Sequence, residues 1–252
     1  MKELIGIAGA KFSGKSTSAA LFCSEYGFSE ISFAFPLKRA TGLSFGIDME
    51  SFEKPELKEK PFSSPRSISL GDLLKFRTNL EQYGTITDHE VCSMYKVSKG
   101  IEIKHPRHLL QYLGTDLIRN FVHTDFWVTA IMTDIENKDK VVISDARFPN
   151  ERSLVDDLGG RLLLIKRPGY EAGGHASETT LGEEDEYNVV INNEGTVKDL
   201  YRGLADWYEN DKKQRQNGTG ASTRTNSRAT QRDQEPKEAP RAIREEEREP
   251  RS

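Results

Sequence analysis

The sequence predicts a three-layer α/β fold, in which a parallel sheet of about five strands is covered by helices on both faces. Short apolar runs alternate with helix-like segments along most of the chain, and such runs are typical of strands that are buried on both faces. A glycine-rich turn joins the first apolar run to the first helix-like segment. The 252 residues are enough for one such domain with an insertion, because domains usually contain ~100–200 residues.

The beginning of the chain contains two predicted strands and two predicted helices. Residues 4–8 form an apolar run that stops at a glycine, which indicates a buried strand. Residues 15–26 have the spacing of a helix and end before Gly27, a common signal for a helix C-terminus. Residues 30–34 predict a second strand, and Pro36 marks the beginning of the next helix.

Residues 46–104 follow no clear pattern. Prolines interrupt the segment and charged residues are dense, and helical spacing returns only at residues 70–80. We interpret this segment as an insertion or small lobe and assign it no fold.

Regular spacing resumes after the insertion. The predicted helices are 107–121, 125–136, 149–158 and 196–208, and the predicted strands are 141–143, 161–166 and 188–192. Residues 211–252 are charged and polar with almost nothing apolar, and such a segment cannot bury enough surface to offset its ordering entropy. We therefore expect one domain over residues 1–210 and a disordered charged tail over 211–252.

Composition limits the classes of partner. The formal net charge is -4, whereas proteins that bind nucleic-acid backbones usually carry a basic surplus, so we expect no stable nucleic-acid binding. The two cysteines have neither the number nor the spacing of a metal knuckle or disulfide framework. A signal-peptide core is absent, and no apolar run approaches the ~20 residues of a membrane span. We expect a soluble cytoplasmic protein without membrane contact, and the sequence leaves a homodimer open.

The glycine-rich turn is a phosphate-binding motif. It reads GAKFSGKS and matches G-x-x-x-x-G-K-[ST] between a predicted strand and a predicted helix, the context that the motif of P-loop proteins requires. The backbone around Gly9 and Gly14 can curl so that its N–H groups face the phosphates of ATP, and the helix N-terminus adds a positive dipole end. Lys15 would neutralise the β- and γ-oxygens, and Ser16 or Thr17 would offer a hydroxyl to Mg²⁺.

Charged residues follow the predicted strand 141–143. Asp145 has the position of the second acidic group of P-loop proteins, which holds Mg²⁺ directly or through water; the alternative is an Asp that caps the following turn. The guanidinium of Arg147 matches phosphate oxygens and could contact the transferring or the acceptor phosphate. Glu151 could fix Arg147 by an ion pair, face the sugar of an acceptor, or lie on a solvated helical face.

A polar stripe is predicted on the helix 107–121. Arg107, Gln111 and Thr115 are spaced four residues apart and therefore share one face. A cation, an amide and a hydroxyl in this order could contact a phosphate, a base edge and a sugar, although many helices simply have one polar side. Trp127 could stack on a base, but an aromatic residue on an apolar helix is also typical of a core.

Four parts of the chain resemble the deoxynucleoside monophosphate kinases of tailed bacteriophages: GAKFSGKST, RHLLQYLGTDLIR with DFWV, ISDARFPNE, and HASE with YNVVINNEGT. The resemblance covers about residues 1–45 and 105–205 in the same order, and DARFPNE is its most specific part. It implies a P-loop kinase fold of the nucleoside monophosphate kinase type. It also implies transfer of the γ-phosphate of ATP to deoxynucleoside 5′-monophosphates with Mg²⁺, with the segment 46–104 as a small lobe on the acceptor side.

The resemblance also implies roles for individual residues. Those that match positions serving the ATP phosphates and the metal are Ser13, Lys15, Ser16 and Thr17. Those that match acceptor-binding or catalytic positions are Arg107, Gln111, Gly114, Thr115, Trp127, Asp145, Arg147 and Glu151. Two positions depart from the family pattern: Ser16 stands where many members have Asp, and Phe35 replaces the Asp of FADPLK. Lys38, in the same segment, is a candidate phosphate contact or a solvated lysine.

We expect a mechanism that depends on positioning and charge neutralisation, because phosphoryl transfer requires little covalent chemistry from the protein. No general base is assigned, and Lys15, Mg²⁺ and Arg147 are expected to stabilise the transition state. Gly114 would let a ligand approach the helix closely. Arg167 and the glycine-rich residues 169–174 could form a lid.

Other function classes stay open at this stage. One is a P-loop kinase for another small acceptor, such as dephospho-coenzyme A, although Gln111 and Trp127 favour a nucleobase. A second is a P-loop ATPase in a nucleic-acid machine, which the negative charge and the lone Asp145 at the strand end disfavour. A third is a nucleotide sensor without catalysis.

Overall fold

The computed structural model describes residues 2–170 and 181–217. Within them, five parallel strands form one sheet with the order β2-β3-β1-β4-β5. The strands are β1 (Glu3–Gly9), β2 (Ser29–Ile31), β3 (Lys140–Ile143), β4 (Arg161–Lys166) and β5 (Val189–Asn192). The predicted five-stranded parallel sheet is confirmed.

Some of the helices pack on this sheet, and others form a separate lobe beside it. The α-helices are α1 (Lys15–Tyr26), α2 (Ala34–Phe45), α3 (Glu50–Glu53), α4 (Pro55–Lys58), α5 (Leu70–Leu80), α6 (Asp88–Ser98), α7 (Pro106–Gln111), α8 (Phe126–Ala130), α9 (Met132–Glu136), α10 (Pro149–Asp157) and α11 (Val197–Gln216). A π-helix, Tyr112–Val122, continues α7, and a 3-10 helix, Glu184–Glu186, precedes β5. In the part of the chain that the structure describes, no helix combines the length and apolar character needed to span a membrane.

The central strand is β1, and both of its faces are covered. Leu4 and Ala8 belong to the buried cluster that also contains Val155 of α10. Ile5 and Ile7 alternate with them along the strand and therefore point to the other face, where they are also buried. Burial on both sides explains why the strand is continuously apolar in sequence.

The arrangement of the strands determines where the site lies. β1 pairs with β3 on one side and with β4 on the other, all parallel. The carboxyl ends of these strands therefore lie at one edge of the sheet, where ligands of open α/β sheets bind. The glycine-rich turn after β1 and the segment that begins at Ser144 after β3 meet at this edge.

A second hydrophobic core lies outside the sheet. It joins buried residues of α2, α5, α6, the π-helix and α8, and Leu73, Met94 and Leu113 are among its fully buried members. We call the part of the chain from α2 to α8 the helical lobe. The segment 46–104, to which the sequence assigned no fold, contributes α3 to α6 and much of this core.

Several boundaries differ from the predictions. The strand predicted for residues 30–34 ends at Ile31, and α2 begins at Ala34, before Pro36. The helix predicted for residues 125–136 is two short helices, α8 and α9. The helix predicted for residues 107–121 is α-helical only as far as Gln111 and π-helical beyond it.

The described part of the chain ends in a helix. Residues up to Trp207 form one compact unit, and a second unit begins at Tyr208. In that second unit the helix α11 continues to Gln216, with an ion pair between Arg215 and Asp211 at 2.6 Å. The first residues of the predicted tail are therefore helical, and residues 218–252 lie outside the described part of the chain.

Candidate active site

Two adjoining cavities open at the carboxyl edge of the sheet. The larger, of about 640 Å³, lies over the turn after β1, and we call it the loop cavity. The other, of about 400 Å³, lies between α2, the π-helix and the segment after β3, and we call it the lobe cavity. The residues that line both are Lys15, Ser16, Glu53, Lys58, Arg107 and Arg147. We call the place where the cavities meet the junction.

The turn after β1 has a shape that depends on its glycines. Gly9 has φ 148° and Gly14 has φ 111°, values that residues with a Cβ rarely adopt. A Cβ on Gly9 would lie 2.4 Å from the carbonyl oxygen of Ile165, and a Cβ on Gly14 would lie 2.7 Å from Nδ2 of Asn193. The loop can therefore pack against the ends of β4 and β5 only because both residues lack a side chain.

Lys15 reaches back across this turn. Its Nζ donates to the carbonyl oxygens of Gly9 at 2.7 Å and Ala10 at 2.6 Å, and the residue lies at the junction. An ammonium group at this place can exchange the two carbonyls for phosphate oxygens of a ligand in the turn. Lys15 therefore lies where the motif predicts a phosphate-binding cation, and its role stays a prediction.

The side chain of Ser13, predicted to serve the ATP phosphates, does not reach either cavity. Its side chain is fully buried and lines neither cavity. Its carbonyl oxygen accepts a hydrogen bond from Nδ2 of Asn193 at 2.8 Å. In this conformation Ser13 helps to hold the turn in place, and its hydroxyl is not positioned to contact a ligand in either cavity.

Two hydroxyl groups were candidates for Mg²⁺. Ser16 is exposed and lines both cavities, whereas Thr17 is half-buried and lines only the loop cavity. Of the two, Ser16 is therefore the residue whose hydroxyl would be available to a metal ion at the junction.

Asp145 lines the lobe cavity and also caps a helix. Its carboxylate accepts hydrogen bonds from Ser32 Oγ at 2.7 Å and from the backbone N–H groups of Phe33 and Ala34 at 2.9 and 3.0 Å. These contacts satisfy the first turn of α2, which explains why α2 begins at Ala34. Asp145 therefore acts as a cap, as the alternative interpretation predicts, but it caps α2 and not the turn that follows it.

The available groups fit a magnesium ion that is held mainly by a nucleotide. Mg²⁺ in such sites keeps several waters and takes only one or two protein ligands besides the phosphates. Ser16 offers a hydroxyl, and the carboxylate of Asp145 has lone pairs left for a water. Among residues 2–170 and 181–217, no group of three or more His, Cys, Asp or Glu could hold a metal by itself.

Glu151 is buried beneath the lobe cavity. Only 3% of its surface is exposed, and its carboxylate accepts the backbone N–H groups of Arg147 at 2.8 Å and Phe148 at 3.0 Å. It also forms an ion pair with Arg119. Burial raises the pKa of Glu151 to about 7, the charge of Asp145 acts in the same direction, and Arg119 with the two N–H groups opposes the rise.

These contacts correct two interpretations of Glu151. Both carboxylate oxygens are engaged by the protein, so Glu151 is not presented to the sugar of an acceptor. Glu151 accepts a hydrogen bond from the backbone N–H of Arg147, but its ion pair is with Arg119. The predicted ion pair between Glu151 and Arg147 is therefore replaced by one with Arg119.

Arg119 is a site residue that the sequence reasoning missed. It lies in the π-helix, lines the lobe cavity and donates from Nη1 to the carbonyl oxygen of Thr124 at 2.8 Å. Its guanidinium group lies 3.9 Å from the ring centre of Phe148. Its spacing in the sequence indicates this position, because Arg119 follows Thr115 by four residues and therefore extends the predicted stripe.

The predicted stripe itself faces the lobe cavity. Arg107, Gln111 and Thr115 all line it, although the helix changes from α to π between the last two. Lys38 of α2 lines the same cavity. The prediction that these residues share one face is confirmed.

Gly114 and Trp127 have mainly packing roles. A Cβ on Gly114 would lie 2.5 Å from Cδ2 of Leu37, so the close neighbour of this glycine is α2. Trp127 is 3% exposed, belongs to the core of the helical lobe and donates from Nε1 to the carbonyl oxygen of Gly114 at 3.0 Å. Both residues also form part of the cavity wall, so the core interpretation of Trp127 is confirmed.

Two further regions complete the cavities. Glu53 and Lys58, from the segment without a predicted fold, lie at the junction. Arg167 lines the loop cavity, and its Nη1 donates to the carbonyl oxygen of Phe12 at 3.4 Å. Most of the lid predicted at residues 169–174 lies outside the described residues.

The family model and the curated proteins that match this chain carry the same description. The model of the family described as deoxynucleotide monophosphate kinase matches residues 76–204. The chain is 31% identical over 224 residues to a putative deoxynucleotide monophosphate kinase of Acanthamoeba polyphaga mimivirus, covering 82% of this chain and 96% of that protein. It is 26% identical over 239 residues to the deoxynucleotide monophosphate kinase of Enterobacteria phage T4, covering 79% and 95%. The corresponding enzyme of Escherichia phage RB69 is 25% identical over 238 residues, covering 79% and 96%.

Proposed function

The chain belongs to the deoxynucleotide monophosphate kinase family, and on that premise we propose that it transfers the γ-phosphate of ATP to a deoxynucleoside 5′-monophosphate. The products are ADP and a deoxynucleoside diphosphate, a precursor of DNA. The junction is the observation that supports this proposal. A phosphate-binding turn and a second cavity meet at Lys15, Ser16 and Arg147, so two phosphorylated ligands can present their phosphates to the same cations.

ATP binds in the loop cavity. Its phosphates lie in the turn between Gly9 and Lys15, where main-chain N–H groups and the N-terminus of α1 favour negative charge. Ser16 and, through a water, Asp145 would hold Mg²⁺, and the ion would supply neutralisation of the phosphate charge. The nucleoside extends towards Val197 and Leu200, apolar residues that line this cavity.

The deoxynucleoside monophosphate binds in the lobe cavity. Arg107 and Lys38 contact its phosphate, since both line the cavity and Arg107 lies at the junction. Gln111 and Thr115 follow on the same face, and their amide and hydroxyl groups hydrogen-bond the base and the sugar. Trp127 forms an apolar part of the wall.

Transfer follows from this arrangement without a general base. The second pKa of a phosphate monoester is about 6, so the acceptor phosphate already presents an unprotonated oxygen at neutral pH. That oxygen forms a bond to the γ-phosphorus while the bond to the β,γ-bridging oxygen breaks and ADP leaves with the electron pair. Lys15 and Arg147 neutralise the charge that spreads over the transferring group.

The substrates in this proposal are small nucleotides, and we propose that the reaction takes place in the cytoplasm. No step of this mechanism requires a nucleic acid or a membrane.

The test is ADP release by the purified protein with Mg·ATP and each of the four deoxynucleoside monophosphates and their ribose counterparts in turn. We expect turnover with at least one deoxynucleotide, and a loss of ~10²–10³-fold in Lys15→Ala, because one preorganised cation at a developing charge is removed. Thermal unfolding of both proteins shows that the variant is folded. ATP binding without turnover on any acceptor would contradict the proposal and favour a sensor or an ATPase.

A further inference from the structure

The segment formed by α3 and α4 closes one side of the junction. Phe52 lines the lobe cavity, Pro55 lines the loop cavity, and Glu53 and Lys58 line both. This short segment belongs to the part of the chain without a predicted fold, and the reaction described above assigns it no role. Its position nevertheless makes it the wall that the two phosphate sites share.

A carboxylate ties this wall to both cavities. Glu59, directly after α4, forms ion pairs with Lys11 of the phosphate-binding turn and with Arg107 of α7, the latter at 3.2 Å. The hydrogen bond from Lys11 is the main reason why the pKa of Glu59 lies below its usual value, and the charges of Lys11 and Arg107 add to it. Glu59 thus bridges a cation on the ATP side and a cation on the acceptor side, directly after α4.

Lys58 lies within a group of like charges. The charged groups that act on it are Lys38 from α2, Arg107 from α7, Arg147 from the segment after β3, and Glu53 from α3. Burial, followed by the three cations, lowers the pKa of Lys58 to about 8, and Glu53 opposes the change. Four cations from separate elements therefore converge at the junction, with the carboxylates of Glu53 and Glu59 beside them. A cleft lined mainly by one sign of charge attracts ligands of the opposite sign, here phosphate groups.

We propose that Lys58 binds the phosphates of both nucleotides at the junction, and that Glu59 is a positioning residue that holds Lys58 there. This inference rests on the proposed function, because it takes ATP and a deoxynucleoside monophosphate as the two ligands. With Lys15 and Arg147, Lys58 then surrounds the transferring phosphoryl group from a third direction. Binding of the phosphates returns the pKa of Lys58 towards its ordinary value, so the protein takes up protons on binding above pH 8.

The first experiment measures binding without turnover. Four probes, each joining adenosine to one of the four deoxynucleosides through five phosphates, are titrated into the full-length protein by calorimetry. We expect Lys58→Met to weaken the tightest probe by ~10–100-fold, the range for loss of one charge-assisted hydrogen bond. Lys58→Arg keeps the charge and should recover most of this loss, and Lys60→Met, an exposed lysine next to the segment, should bind like wild type.

The outcomes separate the two proposals. If no probe binds the wild-type protein, the proposed function is wrong. If a probe binds wild type and Lys58→Met equally well, the function stands and the role of Lys58 is wrong. Glu59→Gln should show a smaller loss than Lys58→Met, since it acts only through position.

The second experiment counts protons and does not depend on the methionine variant. The tightest probe is titrated at pH 8.5 in two buffers of different ionisation enthalpy, which gives the number of protons taken up on binding. The wild-type protein should take up a larger fraction of a proton than Lys58→Arg, because a guanidinium group is charged before and after binding. Equal uptake by the two proteins would show that binding leaves the protonation of Lys58 unchanged, and would overturn the part of the proposal in which the phosphates raise its pKa.

Discussion

The two cavities are built in opposite ways. The loop cavity takes its largest contribution from one continuous turn within residues 9–17, and the rest of its wall from several separate segments. The lobe cavity collects side chains from α2, the π-helix, α8 and the segment after β3, which are far apart in sequence. A site made of backbone depends on a few glycines and one lysine, whereas a site made of distant side chains depends on the contacts that hold its segments together.

Buried polar contacts provide this support in the lobe cavity. The carboxylate of Asp145 fixes the first turn of α2, and the pair of Glu151 and Arg119 joins α10 to the π-helix. Removal of Glu151 would leave the buried charge of Arg119 without its carboxylate. Removal of Asp145 would leave the N–H groups of Phe33 and Ala34 without their acceptor. Each change would lower the stability of the folded protein. The comparison therefore predicts that the two cavities respond differently to substitution.

The largest effect in this comparison should come from Glu151→Gln. The substitution leaves the Arg119 guanidinium without its carboxylate, and breaking a buried ion pair typically costs about 3–5 kcal/mol. Urea denaturation should show this loss in the free energy of unfolding. In protein that stays folded, the KM for the deoxynucleotide should rise while the affinity for ATP is retained, because the turn after β1 is unchanged.

Glu184→Gln is the matched control for this prediction. Glu184 forms an ion pair with Lys166, but its side chain is 58% exposed, and exposed pairs contribute about 0–1 kcal/mol. The same isosteric change should therefore be almost neutral at this surface position. A loss below about 1 kcal/mol for Glu151→Gln would show that the lobe cavity does not depend on its buried pair.

Arg147→Ala should produce the next largest effect, and it tests the junction where the two cavities meet. We expect kcat to fall by ~10²-fold, because the charge of Arg147 is needed mainly in the transition state, with little change in the KM for ATP. Arg147→Lys should recover only part of the rate, since it retains the charge but loses the planar fork that matches phosphate oxygens. A variant with full turnover would remove Arg147 from the mechanism.

The same comparison explains what could be predicted from the sequence. The turn after β1 and the helix Lys15–Tyr26 were predicted correctly, because the motif and the closing Gly27 are adjacent in sequence. The start of α2 was predicted wrongly, since Ala34 is capped by Asp145, a residue 111 positions away. No local pattern reports a contact of that range.

Lys58 shows a different reason for a missed residue. It lies on α4, which has only four residues, so no helical periodicity can reveal it. Its importance comes from Arg107 and Arg147, which fold towards it from other parts of the chain. Arg119, by contrast, continued the visible stripe and could have been found from spacing alone.

The smallest expected effect separates packing from ligand contact at Gly114. A Cβ at this position would lie 2.5 Å from Leu37 Cδ2 in a buried core, whereas a Cβ on Gly203 of α11 would meet nothing within 4 Å. Overpacking costs about 1–3 kcal/mol, while Ala in place of an unhindered helical Gly gains up to about 1 kcal/mol.

Gly114→Ala should therefore lower the free energy of unfolding relative to Gly203→Ala by about 2 kcal/mol, and Leu37→Val should recover part of this loss by removing the atom in the way. The acceptor KM should follow the stability in this series, because the backbone of Gly114 and the side chain of Leu37 form the same wall of the lobe cavity. If Gly114→Ala is as stable as wild type but binds the acceptor poorly, Leu37 can move aside. The glycine would then serve the ligand directly, as the sequence suggested, and the lobe cavity would resemble the loop cavity in relying on backbone that lies open to its ligand.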